Sequence, residues 1–316
     1  MRHLDETSPD TESRQDREAR IAAEPFGVIN GKPGWFAGAG ASYGFIWSYR
    51  ELLVRLVKRE VKVRYKDSSL GLLWSLFRPL IQLAIYVFAI GEILGAARGT
   101  PDFGIFVFVG LTFWALFSEI VATSTTSIVS NAGLVKKVNI PREVFPLAAT
   151  GGAIVNFAIQ FVVLLVGILA ISHFRLSWEL LYAPVAFLTI ILFGLALGLL
   201  ASSLNVYLRD VQHFVEIYLL IFFWLSPIVY PFTYVHDALQ GNWLEQLYLA
   251  NPITIAIIAA QKALWAPGSE NVNGLVQAWP DALGLRLLIM LVIGIVFVWI
   301  SQRVFARLQG NFAQEL

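Results

Sequence analysis

The sequence predicts an all-α membrane protein with six transmembrane helices, an N-terminal amphipathic interface helix and outer re-entrant helices between spans 5 and 6. Three observations carry this. Of the 316 residues, 57% are hydrophobic and 14% charged, whereas soluble domains run at about 45–50% apolar and about 25% charged; the surplus apolar surface has to face lipid. The apolar residues fall into runs that reach the roughly 20 residues needed to cross a bilayer. Between those runs Lys and Arg gather in alternate connections, the pattern that keeps short loops on the cytoplasmic side.

Residues 1–44 mix Asp, Glu, Arg and Ser and then turn Gly-rich. Too little apolar area is available there to offset the entropy of ordering, so a disordered cytosolic tail is expected. Its first residues have no apolar core, so a cleavable signal peptide is not expected. Residues 45–67 form the amphipathic interface helix. At helical spacing Arg55, Lys58, Arg59, Lys62 and Lys66 share one arc, and Leu52, Leu53, Leu56, Val57 and Val61 share another, the division of a helix lying in the headgroup plane. Glu60 falls inside the apolar arc and needs a partner there. Arg64 at i+4 is the local candidate; the next segment or a partner protein is the other.

The spans fall at about 70–94, 104–125, 147–171, 180–204, 214–231 and 283–304, inside a transmembrane domain over 68–309. Pro79 removes a helical hydrogen bond and predicts a kink in the first. Between the fifth and sixth spans, 232–280 breaks the pattern. Its apolar stretch Ile253–Leu264 follows Asn251-Pro252 and is too short to cross, as outer re-entrant helices are. Residues 310–316 end the chain as a short cytosolic tail. Six spans put both termini in the cytoplasm, and the cations agree. Arg50, Arg55, Lys58, Arg59, Lys62, Arg64, Lys66, Arg78, Lys136, Lys137, Arg142, Arg209, Arg303 and Arg307 fall near the inner face, against Arg98, Arg175, Lys262 and Arg286 outside.

The gap between the second and third spans, Ser127–Pro146, is the most telling connection. It holds Lys136, Lys137 and Arg142, and Gly133 and Pro141 bracket a short amphipathic piece, Leu134–Ile140, whose apolar residues need a surface to pack on. Cations beside an apolar knob on the cytoplasmic side make a docking surface.

Motifs for nucleotide hydrolysis and metal ligation are absent. The single Gly-Lys pair, Gly31-Lys32, lacks the upstream Gly of a phosphate-binding loop, so the chain is not expected to hydrolyse ATP. His3, His173, His213 and His236 are scattered without metal-ligand spacing, and Cys is absent. No catalytic residue, metal or nucleic-acid partner is expected. Glu119 is the one acidic residue well inside a span, either a functional carboxylate or a group at the helix mouth. Aromatic residues concentrate on the second span, at Phe106, Phe113, Trp114 and Phe117, and on the fifth, at Tyr218, Phe222 and Trp224. Such faces bind sugar rings and aliphatic chains, so these residues are candidates to line a route for something large and amphipathic; lipid-facing filler is the alternative.

The run RELLVRLVKREVKVRYKDSSLGLLWSLFRPL resembles the opening of ABC-2 type polysaccharide export permeases, with Arg64-Tyr65, Ser69-Leu70-Gly71 and Leu73-Trp74-Ser75 in the matching places. SIVSNAGLVKKVNIPREVFPLA resembles their cytoplasmic coupling loop through Leu134, Lys136, Lys137, Pro141, Arg142 and Pro146, and Arg209-Asp210, SPIVYP and Asn251-Pro252 resemble their later spans. The resemblance covers about residues 48–305. It implies a permease subunit working as a homodimer with two nucleotide-binding ATPase subunits, which would hold the ATP and Mg while this chain binds no cofactor. The cargo would be a polyprenyl-diphosphate-linked polysaccharide (galactan, O-antigen or similar) crossing the cytoplasmic membrane. The long extension before Phe45 suggests the galactan exporter branch. On this basis Leu134, Val135, Lys136, Lys137, Pro141, Arg142 and Glu143 would meet the ATPase. Arg55, Arg59 and Arg64 would receive the carrier diphosphate, and the aromatic residues of spans two and five would line the channel. The alternatives are an ABC-2 drug or lipid exporter, a membrane-embedded polyprenyl-linked glycosyltransferase, which would need acidic clusters the outer loops lack, and an ion-coupled carrier, which would need paired charges at mid-membrane.

Overall fold

The computed structural model describes residues 49–65, 74–137, 140–171, 176–239, 242–266 and 277–316. The predicted tail over 1–44, the start of the first span and parts of the outer loops fall outside these. All regular elements among the described residues are helical. In chain order they are α1 (Arg50–Tyr65), α2 (Trp74–Tyr86), which runs into a π-helical stretch Val87–Ile93, α3 (Phe103–Ser130), α4 (Ala132–Lys137), α5 (Val144–Ile171), α6 (Tyr182–Tyr207), α7 (Val211–Trp224), α8 (Phe232–Leu239), α9 (Trp243–Leu249), α10 (Pro252–Leu264), α11 (Leu283–Leu308) and α12 (Phe312–Glu315). Among the described residues five helices are long and apolar enough to cross a bilayer, six if the bent pair α9–α10 counts as one.

The spine is α3. Val107, Val109, Phe117 and Ile120 on it are fully buried, sheathed by α5, α6 and α10. Its Ser- and Thr-rich end stays compatible with an apolar setting because the hydroxyls bond back to the helix: Thr123 to the Glu119 carbonyl at 2.6 Å and Thr125 to the Val121 carbonyl at 2.7 Å. By contrast α2 is barely covered, and Trp74, Phe77, Ile81, Ile85 and Phe88 are all exposed on this chain. Pro79 is accommodated inside α2, and the change of helix type comes later, at Val87.

The fifth span departs from expectation. A helix was predicted to reach 231, but α7 stops at Trp224 after 14 residues, about 21 Å against a hydrocarbon core of about 30 Å. Residues 225–231 carry on without regular structure, because Pro227 cannot donate to a helical ladder. In lipid the freed carbonyls need partners from the protein, and α10 supplies them. Gln261 Nε2 donates to the Pro227 carbonyl at 2.8 Å and Thr254 Oγ1 to that of Leu225 at 3.4 Å. The stretch crosses α3 at Gly110, where an added Cβ would lie 3.0 Å from Ile228 Cα; only a residue without a side chain lets the backbones meet there.

The predicted re-entrant element is α9–α10, bent by 79°. Asn251 caps α10 by accepting from the Ile253 amide at 3.0 Å, with Pro252 opening the first turn. Ile255 to Ala260 are fully buried, so α10 is sunk into the bundle instead of lying on it. Trp265 fixes its far end, donating to the Pro101 carbonyl at 2.8 Å and meeting Phe106 edge-on at 5.1 Å.

Candidate functional site

Two features could carry function: the assembly at the Lys- and Arg-rich end of the bundle, and a polar groove along its side. At the basic end the α3–α5 connection folds into α4, whose single turn and a half splits its residues cleanly. Leu134, Lys136 and Lys137 are exposed, while Val135 is 4% exposed. Val135 packs into a small second core with Ile128, Phe145, Leu199, Val206, Phe305 and Phe312. Phe312 is fully buried, with Phe305 5.5 Å away and Tyr207 6.0 Å away, both edge-on. Within 310–316, expected as a short cytosolic tail, Phe312 therefore forms part of the seat on which α4 rests. A lone aromatic in a polar terminus was the available sign, and only its long-range partners reveal its role.

Polar links lock this core. Arg142 Nη1 donates to the Gln309 carbonyl, Gln309 Nε2 donates to Glu143 Oε1 at 3.2 Å, and Tyr207 donates to the Leu308 carbonyl at 2.6 Å. Glu143 is 6% exposed, and burial pushes its carboxyl above the ordinary range, opposed by its hydrogen bonds and by Arg142. The seven residues expected to meet a partner thus divide. Leu134, Lys136 and Lys137 face outward, Arg142 is half-buried on Gln309, and Val135, Pro141 and Glu143 are buried. Arg303, expected in a basic terminus, is 3% exposed, and its guanidinium has no hydrogen-bond partner among the described residues.

Helix α1 lies against the first turns of α5, with Leu56 buried between Val144 and Ala148. Gly151 permits the approach, since a Cβ there would sit 2.5 Å from Val57 Cγ2. Arg59 pairs with Glu60 at 3.2 Å and also donates to Asn131 Oδ1 at the end of α3. Glu60 therefore takes Arg59 as partner; the side chain of Arg64 lies outside the described part. Arg55 is exposed. One residue, Arg59, ties the amphipathic helix to the base of the α4 hairpin.

The groove runs between α2, α3, α5 and α7, with a cavity volume of about 850 Å³. Trp74 and Arg78 stand at one side, Trp114 and Glu119 at the other, and Asn156 and Gln160 form part of the floor. Asn156 Nδ2 donates to Glu119 Oε1 at 2.5 Å. Asn156 and Gln160 went unremarked in the sequence, though two carboxamides at i, i+4 in a run otherwise as apolar as α5 were visible. Of the aromatic residues expected to line a channel, Trp114 reaches the groove. Phe106, Phe113 and Phe117 are core residues in this chain, Phe113 stacking edge-on with Phe157 at 5.3 Å. On α7, Tyr218 and Phe222 stack at 4.1 Å, and Trp224 is exposed. Among the described residues no group of three His, Cys, Asp or Glu could hold a metal ion.

A model of the ABC-2 type transporter family matches residues 51–265. The chain is 28% identical over 271 residues to the O-antigen export system permease protein RfbA of Myxococcus xanthus, covering 86% of this chain and 97% of that one. It is 26% identical to the protein of the same name from Klebsiella pneumoniae, over 84% of this chain and 95% of the relative. With the polysialic acid transport protein KpsM of Escherichia coli it shares 24% identity over 69% of this chain and 83% of the relative.

Proposed function

The chain belongs to the ABC-2 type transporter family, and from that premise we propose that it is the permease subunit of an exporter moving a lipid-carrier-linked polysaccharide across the cytoplasmic membrane. A separate ATPase subunit, holding the nucleotide and its Mg, supplies the energy. The names of its relatives, O-antigen export permeases and a polysialic acid transport protein, favour a polysaccharide cargo. The cation bias supports a cytoplasmic position for the basic end and both termini.

The observation that carries this reading is the division of α4. Lys136 and Lys137 are exposed while Val135, on the same turns, is clamped by Phe305 and Phe312. A cationic surface on a firmly seated helix transmits force; the same lysines on a mobile loop would only bind. A push on α4 passes to α11 through Phe305 and the Arg142–Gln309 bond, and to α1 through Asn131 and Arg59. The conduit forms between two copies of the chain, each turning its poorly covered α2 and the adjoining groove toward the other. Arg55, exposed on α1, is available to the carrier diphosphate, for which the forked donors of Arg are suited.

Co-expression with the ATPase subunit tests the reading. The double change Lys136→Glu and Lys137→Glu is expected to lower permease-stimulated ATP hydrolysis by at least about tenfold, because reversing charges at a docking surface turns attraction into repulsion. Unchanged stimulation would remove α4 as the point of contact.

A further inference from the structure

The outward face of α11 ends in a cation that no described residue balances. Leu285, Ile289, Val292, Val296 and Ile300 recur at three- and four-residue steps and are 37–60% exposed, so this stripe faces lipid while the other side of the helix packs on α6 and α10. Arg303 is the next position in the same register. It lies twenty residues past Leu283, about 30 Å along the helix, which is the thickness of the hydrocarbon core. Arg307, exposed one turn further on, adds a second cation. Yet Arg303 itself is 3% exposed, and Nε, Nη1 and Nη2 all lack a hydrogen-bond partner among the described residues.

A guanidinium keeps its proton, and once taken out of water it needs an anion to offset the lost hydration. Among the described residues no carboxylate serves. Helix α11 has no acidic residue, Glu143 faces Arg142 and Gln309, and Glu315 neighbours Tyr207. A protein docked on α4 is poorly placed too, because the seat of α4 is built on Phe305, about 200° round the helix from Arg303 at 3.6 residues per turn. What the stripe does face is lipid.

We propose that Arg303 binds the phosphate of an anionic phospholipid whose headgroup lies at the basic end of the bundle. The guanidinium fork matches two phosphate oxygens, and the acyl chains lie along the apolar stripe. A headgroup without an ammonium suits a place with two cations and no acid on the same helix. Shelter from water keeps salt from screening the pair as it would an exposed one. Arg303 stands two residues before Phe305, so a phosphate held there fixes the part of α11 on which α4 rests, and anionic lipid stiffens the seat.

The assignment needs the basic end to lie at a membrane surface and does not depend on the cargo, so it can fail while the export reading stands. Its test is the melting temperature of the full-length chain in uncharged detergent, titrated with dioctanoyl phosphatidylglycerol. A saturable rise is expected. Arg303→Gln should weaken the apparent affinity at least about tenfold without lowering the melting temperature in the absence of lipid, since removing an unpaired buried cation leaves nothing unmatched. Arg209→Gln takes the same charge from an exposed site at the same end and should leave the titration unchanged. An unaltered titration in Arg303→Gln, equal weakening by Arg209→Gln, or the same rise with dioctanoyl phosphatidylcholine or inorganic phosphate overturns the assignment. A tighter response to a polyprenyl diphosphate would hand the site to a carrier lipid and overturn it as well. If Arg303→Gln cannot be recovered folded, Arg303→Lys decides: it keeps the charge but loses the fork, so binding several-fold weaker than the parent's is expected and equal affinity contradicts the proposal.

Discussion

The two ends of the bundle are built on opposite plans. At the end away from the lysines, α10 is sunk into the main core, its Ile255 to Ala260 fully buried, and its polar side chains hold the irregular backbone of residues 225–231. At the basic end, Val135 of α4 and Phe312 of α12 pack into a second, smaller core with Ile128, Phe145, Leu199, Val206 and Phe305 of the long helices, reinforced by polar links through Arg142, Gln309, Glu143 and Arg59. One end is a plug that cannot shift without exposing backbone in lipid. The other, the lever of the proposed coupling, seats α4 directly on α3, α5, α6 and α11 through a core smaller than the main one. If the ATPase docks on α4, force applied there would reach the long helices through this second core.

Substitutions at the two ends should separate these plans. The largest effect is expected from Gly110→Val. The added atoms meet the backbone of Ile228, with a Cβ already 3.0 Å from its Cα and 3.1 Å from its oxygen, so nothing flexible can yield. A loss above about 4 kcal/mol is expected, read as failure to recover monodisperse protein from membranes. Recovery at the parent's yield would mean the plug is looser than its packing implies.

Phe312→Ala comes next, at about 3 kcal/mol, and its effect should be local. Hydrogen exchange is expected to quicken in α4, α12 and the end of α11 while the amides of α10 keep their protection. Spread of the change into α10 would join what the comparison separates.

Glu143→Gln should have a smaller, pH-dependent effect. Burial raises the Glu143 carboxyl, so its folded form prefers the proton. That contribution is complete below the unfolded carboxylate value and is lost as pH rises through the raised one. The variant is expected to match the parent in acid and exceed its melting temperature near pH 8; equal melting curves at both would remove Glu143 as a titrating element of the lever. The smallest effect belongs to His236, whose ring lies 2.9 Å from Glu245. That hydrogen bond raises its pKa, against a lesser lowering by burial. The tie between α8 and α9 should be full below the unfolded His value of about 6.5 and fade as pH climbs through the raised one. Hydrogen exchange of the α8 and α9 amides should quicken along that rise, and His236→Ala should flatten the dependence.

The apolar runs of α3, α5, α6 and α11 were legible in the sequence because lipid enforces a length and the cations mark its boundaries. The end of α7 was not. Residues 225–231 stay apolar, so composition alone continues the span, while Pro227 stops the helix and Gln261, 34 residues on, makes the break tolerable. Aromatic position was equally opaque. A helix apolar on all sides gives no facial periodicity, so nothing local distinguishes Phe113, packed in the core, from Trp114, which reaches the groove. The cationic hairpin could be placed from its spacing. What α4 rests on could not, because Phe312 lies far along the chain from Val135 and no local pattern links them.

The central claim is that α4 is a cytosolic handle touched by the ATPase. Leu134→Cys tests it most directly: the chain has no other thiol, and Leu134 is exposed beside Lys136 and Lys137. Coupled to a short amine-reactive crosslinker in membranes containing the ATPase subunit, it is expected to give a permease–ATPase adduct that Lys136→Glu with Lys137→Glu abolishes. Modification of the thiol only by impermeant reagent added outside the cell, with no adduct, would place α4 on the wrong side of the membrane and contradict the account.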